Sequence, residues 1–300
     1  MRVSTSWSHQ LSVNAMLDQQ VKLNESQLKL SSGKKYLTPS ENTIAATSLI
    51  DLQQNIKENQ QYQVNIGAAR QRLDLEESSL ANATDVLQKI RELAVQGLNG
   101  INTPENRQQI AQEIDQLNGH LLGIANTQNA NGEYLFSGYA TNTKAFTDTP
   151  AYVYQGDNNQ RDITIGPDRQ VADGDTGNAV FGPISGSSTP GTITNVLEAV
   201  AQLSRDLKSN TPSPNTLTDL DQALDRFVTV RASVGARLHA LDDQENLNAD
   251  YILDNQSTAS QIGDLDYAEA MSKFNLQQLS LQAAQQAYTK VKDLSLFKYL

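Results

Sequence analysis

The sequence predicts a mainly α-helical protein with a small β insert, folded as an elongated antiparallel helical bundle built from both chain ends. Residues 1–32 contain neither Gly nor Pro, and residues 215–300 contain no Pro and only two Gly. Both regions carry apolar residues at heptad spacing, which indicates helices that pack along a seam. Eight of the 17 glycines fall between Gly138 and Gly191, so the centre of the chain is expected to leave the helical pattern.

The first helix is marked by apolar side chains that repeat every seven residues, at Met16, Leu23, Leu30 and Leu37. Gly33 interrupts this helix or marks its end. Residues 38–41 predict the start of a second helix. Thr38 can cap it, Pro39 suits its first position, and Glu41 completes a capping box.

The second helix is expected to be long, because one apolar register continues for roughly 60 residues. That register runs through Leu73, Leu80, Leu87, Ala94 and Ile101. A turn at residues 102–105 then caps a third helix, which is short enough to fold back antiparallel on the second.

The centre of the chain predicts a β-hairpin. Residues 152–154 and 162–165 are predicted to form two short strands that flank a turn at residues 156–159. Val171 and residues 180–181 are candidates to extend this sheet. Helical periodicity returns at Asn195, which predicts a short helix, and a longer helix is predicted from Leu217 to a break at residues 263–264. A last helix then carries Tyr267, Phe274, Leu281 and Tyr288 at intervals of seven.

This nested order predicts three domains. Residues 1–38 with 264–300 form a terminal helical assembly domain, and residues 39–138 with 192–263 form a helical rod. Residues 139–191 form an inserted, β-rich outer domain. The order also predicts a rod with both termini at one end and the insert at the other. Tyr134 and Phe136 are expected to pack the rod–insert joint, with a binding patch as the alternative.

Composition argues against several classes of function. The net charge of −11 is unsuited to nucleic acid, whose phosphates attract a cationic surface, and to an anionic membrane surface. The chain has no Cys, so disulfides and thiolate sites are absent. Residues 1–20 lack the apolar run of a cleavable secretory signal, and no window matches a membrane span. We therefore expect no membrane insertion and, if the protein is exported, export without a cleaved signal peptide.

Apolar residues at the chain ends predict an assembly interface. Five of the last seven residues are apolar, and a monomer would leave that tip in water. We expect other subunits to bury it, although the heptads could instead form the core of a self-contained bundle. The predicted interface residues are Val13, Leu17, Val21, Leu23, Leu28, Leu30, Phe274, Leu281, Tyr288, Leu294, Leu296, Phe297 and Leu300.

Catalytic and metal-binding patterns are not evident. The three histidines lie on three different segments, and none belongs to a zinc motif. Residues 173–177 resemble a calcium loop only superficially, because Ile184 stands where the bidentate Glu belongs, so a hairpin turn is the preferred interpretation. Asp242, Asp243 and Glu245 fit a solvated helix face better than an acid–base pair. We expect no enzyme activity, no metal and no cofactor.

Several segments resemble the flagellin superfamily, and in particular its junction proteins. Residues 30–35 (LSSGKK) are similar to the segment that ends the first flagellin helix, whereas residues 36–40 (YLTPS) are more similar to the junction proteins. Residues 131–138 (NGEYLFSG), 154–157 (YQGD), 265–270 (LDYAEA) and 295–300 (SLFKYL) extend the resemblance over nearly the whole chain. Glu41-Asn42-Thr43 and Lys298 depart from the family pattern.

The resemblance implies a structural adaptor without catalysis, located at the hook–filament junction of the extracellular flagellum. It implies type III export, ring assembly with other copies of itself, and contacts with the first hook-associated protein, with flagellin and with an export chaperone. Two alternatives remain open. One is a filament-forming flagellin, and the other is a secreted binding module or adhesin that uses the β insert.

Overall fold

The computed structural model describes residues 2–148, 152–184 and 194–293, with no account of the side chains of residues 2–6, 8 and 291–293. Its elements are α1 (Arg2–Ser32), α2 (Thr43–Leu98), α3 (Pro104–Ala125), β1 (Asp162–Gly166), β2 (Arg169–Ala172), α4 (Gly177–Phe181), α5 (Val196–Lys208), α6 (Asn215–Gly263) and α7 (Tyr267–Asp293). The predicted fold class, mainly α with a small β component, is confirmed.

The chain divides into two units. The first comprises Met1–Glu58 with Asp250–Leu300, and the second comprises Asn59–Ala249. In the first unit, α1 packs along α7. Its connecting segments are tied by backbone hydrogen bonds: the Lys35 N–H donates to the Gly263 carbonyl at 2.8 Å, and the Leu265 N–H donates to the Gly33 carbonyl at 2.9 Å.

Gly33 ends the first helix, as predicted. Its φ of +68° lies in the left-handed region, which a glycine adopts without steric cost. The Gly33 N–H still donates to the Lys29 carbonyl at 2.9 Å, which completes the last turn of α1.

The predicted start of the second helix is wrong by four residues. Helix α2 begins at Thr43, and the Asn42 side chain caps it by accepting from the Ala45 N–H at 3.0 Å. Glu41 does reach back to the Thr38 N–H (3.2 Å), as a capping box requires, but it also accepts from the Leu37 N–H (2.9 Å). These bonds fold residues 38–42 into a turn, so that Asn42 takes the capping position.

The core of the second unit follows the predicted heptads except at Ile101, which lies beyond the end of α2 and is 88% exposed. Leu73, Leu80 and Leu87 of α2 are fully buried, and so are Phe227, Val234 and Leu241 of α6. Helix α5 starts as predicted, because the Asn195 side chain accepts from the Glu198 N–H at 2.9 Å.

One strand of the predicted hairpin is confirmed, and its predicted partner, residues 152–154, is wrong. Residues 162–165 do form a strand, but β1 pairs antiparallel with β2 around Pro167-Asp168, and Val171 lies opposite Ile163. Tyr154 forms an isolated bridge with Phe146 instead. Val180 and Phe181, expected near the sheet, belong to α4, which the Thr176 side chain caps. Residues 173–176 connect β2 to α4 and are not a hairpin turn.

Candidate assembly surface

Helices α1 and α7 pair through one face of each. The half-buried residues of α1 recur at helical spacing, and those of α7 follow the alternating steps of three and four typical of a packed seam. On α1 they are His9, Val13, Met16, Gln19, Leu23, Ser26 and Leu30. On α7 they are Ala270, Phe274, Gln277, Leu281, Ala284 and Tyr288.

The two helices run antiparallel. The rings of His9 and Tyr288 meet edge to face with centroids 5.8 Å apart, close to the start of α1 and the end of α7. Further along α1, the Ser26 hydroxyl donates to the side-chain oxygen of Gln277 at 2.7 Å. These contacts fix the register of the pair.

Further apolar side chains are exposed on the faces of α1 and α7 that point away from the seam. On α1 they are Trp7, Leu11, Leu17, Val21 and Leu28, and on α7 they are Leu276 and Leu279. We call these seven residues the exposed stripe. Leu17 is 54% exposed and Leu279 is 67% exposed. Exposed apolar side chains that recur along the face of a helix indicate a surface that another molecule covers.

The predicted interface residues therefore fall into three groups. Six lie half-buried in the α1–α7 seam: Val13, Leu23, Leu30, Phe274, Leu281 and Tyr288. Leu17, Val21 and Leu28 belong to the exposed stripe. Leu294, Leu296, Phe297 and Leu300 lie outside the described residues. Sequence reasoning missed Trp7, Leu11, Leu276 and Leu279, although their apolar character was the available signal.

An ion cluster stabilises the end of α1. Lys29 pairs with Glu41 at 2.6 Å and with Glu25 at 3.2 Å. The hydrogen bond from Lys29 lowers the pKa of the Glu41 carboxyl, and the same bond raises the pKa of Lys29. The pair therefore stays charged at neutral pH and holds the turn before α2 against α1.

The candidate rod–insert joint lies in the second unit, around an aromatic cluster. Phe181 of α4 packs edge to face against Phe136 (5.4 Å), Phe146 (5.7 Å) and Phe227 (5.3 Å). All four rings are fully buried. Tyr134 is half-buried, and its N–H donates to the Thr141 carbonyl at 2.7 Å.

Buried charges join the same region to α2. The Arg72 guanidinium, 7% exposed, donates to the Leu135 carbonyl at 3.1 Å. Asp173 is buried and is paired with Arg161. No local pattern in the sequence indicated these contacts, because they depend on the tertiary packing of α2 against residues 135–173.

A buried carboxyl completes this network. Glu76 accepts from the Asp175 N–H, and Arg237 pairs with the Asp175 carboxylate. Burial, and next the negative charge of Asp175, raise the pKa of Glu76 to about 8. The Glu76 carboxyl is therefore mostly protonated at neutral pH inside the folded protein.

Within residues 2–148, 152–184 and 194–293, no three His, Cys, Asp or Glu side chains are placed to hold a metal ion. Asp242 and Glu245 pair with Arg70 at 2.5 and 2.6 Å, on the surface. Across the same ranges, no helix has the length and apolar character needed to cross a bilayer.

Comparison with known proteins identifies two matching family regions. Residues 3–141 match the bacterial flagellin N-terminal helical region, and residues 217–300 match the bacterial flagellin C-terminal helical region. The two matches include nearly all of α1, all of α2, α3 and α7, and nearly all of α6. Of these helices, α1 and α7 carry the seam and the exposed stripe.

Relatives of similar length are flagellar proteins. The chain is 29% identical to flagellar hook-associated protein 3 of Escherichia coli over 99% of both chains, and 27% identical to that of Salmonella typhimurium over 99% of both. The solved hook-associated protein 3 of Legionella pneumophila has the same fold, with a TM-score of 0.64, 22% identity, and coverage of 70% of this chain and 98% of its own. The chain therefore belongs to the flagellin family, in the group of hook-associated protein 3.

Proposed function

We propose that this protein is a structural adaptor that joins the hook of the bacterial flagellum to its filament. The observation that carries the proposal is the exposed stripe. Residues such as Leu17, Val21 and Leu279 remain in water while the opposite faces of their helices are already paired. Burying one such side chain is worth roughly 1.5–3 kcal/mol, so a neighbouring subunit that covers the stripe would be held firmly.

The adaptor acts mechanically and performs no catalysis. Its relatives are structural proteins of the flagellum. Copies of the chain would assemble as a ring, with the first hook-associated protein on one side and flagellin on the other. The thirteen predicted interface residues would serve this contact in three ways. The six seam residues would position the helix pair, the three stripe residues would meet the neighbour, and the four residues between 294 and 300 would be buried by another subunit.

Export and domain roles are parts of the same proposal. The protein would reach the flagellum through the type III apparatus without a cleaved signal, escorted by an export chaperone. Residues 1–38 with 264–300 would be the assembly domain, residues 39–138 with 192–263 the rod, and residues 139–191 the outer domain. Tyr134 and Phe136 would hold the outer domain to the rod, and the place of Phe136 in the buried aromatic cluster supports this role for Phe136.

A filament-forming flagellin is the less favoured alternative. Flagellin FlaB2 of Treponema pallidum, one such relative, matches 70% of this chain at 27% identity, whereas the two hook-associated relatives match 99%. The adhesin alternative would require recognition by the outer domain, for which the comparisons offer no support.

Localisation on isolated flagella tests the proposal. A labelled copy that complements a strain lacking this protein should form a single focus where the hook ends, in ring-like copy number. Label along the whole filament would instead identify a flagellin. Normal motility of the strain that lacks the protein would contradict the adaptor role.

A further inference from the structure

An open groove of about 460 Å³ lies in the first unit, apart from the exposed stripe. The turn before α2, the first turns of α2 and the last turns of α6 form its walls. Its apolar lining comprises Tyr36, Leu37, Pro39, Leu49, Ile50 and Ile56. The volume falls within the range of roughly 300–1,000 Å³ typical of sites that enclose a compact apolar ligand, such as two or three side chains.

The walls of the groove are held in place by specific contacts. The Asn42 amide donates to the Tyr36 hydroxyl at 3.1 Å, which fixes that ring. Leu49 packs directly on the backbone of Gly263, where an added Cβ would lie 3.2 Å from both Leu49 methyl carbons. The groove is therefore a formed feature of the joint between helices.

The sequence of the chain contains a segment that matches the groove chemically. Residues 294–300 carry five apolar side chains and one charge, Lys298. The groove has an apolar lining, and one cation and one anion, Lys34 and Asp264, line it as well. The apolar side chains of the segment thus match the apolar lining, and Asp264 is the anion with which Lys298 can pair.

We propose that residues 294–300 of a second copy occupy this groove, with Phe297 and its apolar neighbours inside and Lys298 near Asp264. The proposal rests on the proposed function, because it names a contact between copies in the assembled junction. It differs from the exposed stripe, which lies on α1 and α7.

The groove is out of reach of the same chain's residues 294–300. Helix α7 begins three residues after the groove residue Asp264 and carries 27 residues, so its end lies about 40 Å away at ~1.5 Å per residue. Residues 294–300 span at most about 25 Å when fully extended. Occupation must therefore come from another copy.

Cysteine cross-linking tests the proposal, because the chain contains no Cys of its own. The full chain carries Gln53→Cys in the groove together with Ser295→Cys, and a second variant carries Gln256→Cys on the other wall with Ser295→Cys. The matched control carries Asp51→Cys with Ser295→Cys, since Asp51 is exposed on the opposite face of α2. Each is expressed in cells that lack their own copy, motility is scored, and isolated flagella are oxidised.

All variants are expected to restore motility. Flagella with either groove variant should give disulfide-linked bands at multiples of the 32.8 kDa chain, and flagella with the control should not give these bands. Motile cells without such bands in both groove variants would overturn the docking and leave the adaptor role intact. A cross-link within one chain of dilute monomer would also overturn it. Failure of the unaltered chain to restore motility would remove the adaptor role and the docking together.

Discussion

Gly33 and Tyr267 meet where the first helix ends and the last helix begins. Gly33 has a φ of +68°, and a Cβ added there would lie 2.9 Å from the Tyr267 hydroxyl oxygen. The contact links the end of α1 to the start of α7, so the two chain ends enter the seam in a defined register. A side chain at position 33 would oppose both the backbone conformation and this approach.

Gly33→Ala should therefore destabilise the first unit. A non-glycine residue in the left-handed region costs about 1–2 kcal/mol, and the Tyr267 ring must also move. We expect faster hydrogen exchange of the α1 amides near Leu30. Gly67→Ala is the matched control: a Cβ at Gly67 has open space inside α2, so it should stabilise the chain by about 0.5–1 kcal/mol. Equal effects of the two substitutions would contradict the strain argument.

Phe181→Ala should be among the most destabilising single changes in the second unit. The ring contacts Phe136, Phe146 and Phe227, and truncation of a buried Phe costs about 3–5 kcal/mol. Denaturant unfolding followed by circular dichroism measures the loss. Tyr139→Ala, at a residue that is 56% exposed, serves as the control and should change stability by less than about 0.5 kcal/mol. A loss below about 1 kcal/mol for Phe181→Ala would argue against the buried cluster.

Glu76 should make stability depend on pH. Its pKa rises from 4.5 to about 8 on folding, so the folded chain retains a proton that the unfolded chain releases. The stabilisation is complete below about pH 4.5 and is lost as the pH rises towards 8 and above. Three charged residues interact with this carboxyl. The positive charges of Arg72 and Arg237 favour its ionised form, whereas the negative charge of Asp175 opposes it.

The Glu76→Gln variant checks this dependence. Glutamine keeps the shape of the neutral carboxyl but cannot titrate. The unaltered chain should lose a few kcal/mol more than Glu76→Gln between pH 5 and pH 8, measured as the free energy of unfolding. Parallel pH profiles for the two chains would show that Glu76 is already ionised in the folded protein.

The helices could be predicted from local periodicity, whereas the residues that pair across the fold could not be predicted from it. Leu73, Leu80 and Leu87 are buried as the seven-residue repeat predicted, because residues seven apart lie on the same face of a helix. Residues 152–154 were predicted to form a strand, but Tyr154 points its hydroxyl at the carbonyls of Phe136 (3.1 Å) and Asp157 (2.8 Å) and donates to them. That role depends on distant residues, and so no local pattern revealed it.

The assembly surface could be predicted only in part, for the same reason. Heptad spacing indicated that α1 is apolar on more than one side. Which face meets α7 depends on tertiary register, fixed by contacts such as Ser26 with Gln277 and His9 with Tyr288. Leu23 and Leu17 therefore looked equivalent in the sequence, yet one lies in the seam and the other in the exposed stripe.

The most direct measurement of the central claim is the incorporation of exposed-stripe variants into flagella. Leu17→Glu and Val21→Glu should leave the free energy of unfolding within about 0.5 kcal/mol, because both side chains are exposed in the single chain. Both should abolish incorporation at the junction and motility, whereas Gln20→Glu, which adds the same charge at an exposed position outside the stripe, should restore both. Normal incorporation of Leu17→Glu and Val21→Glu would contradict the account.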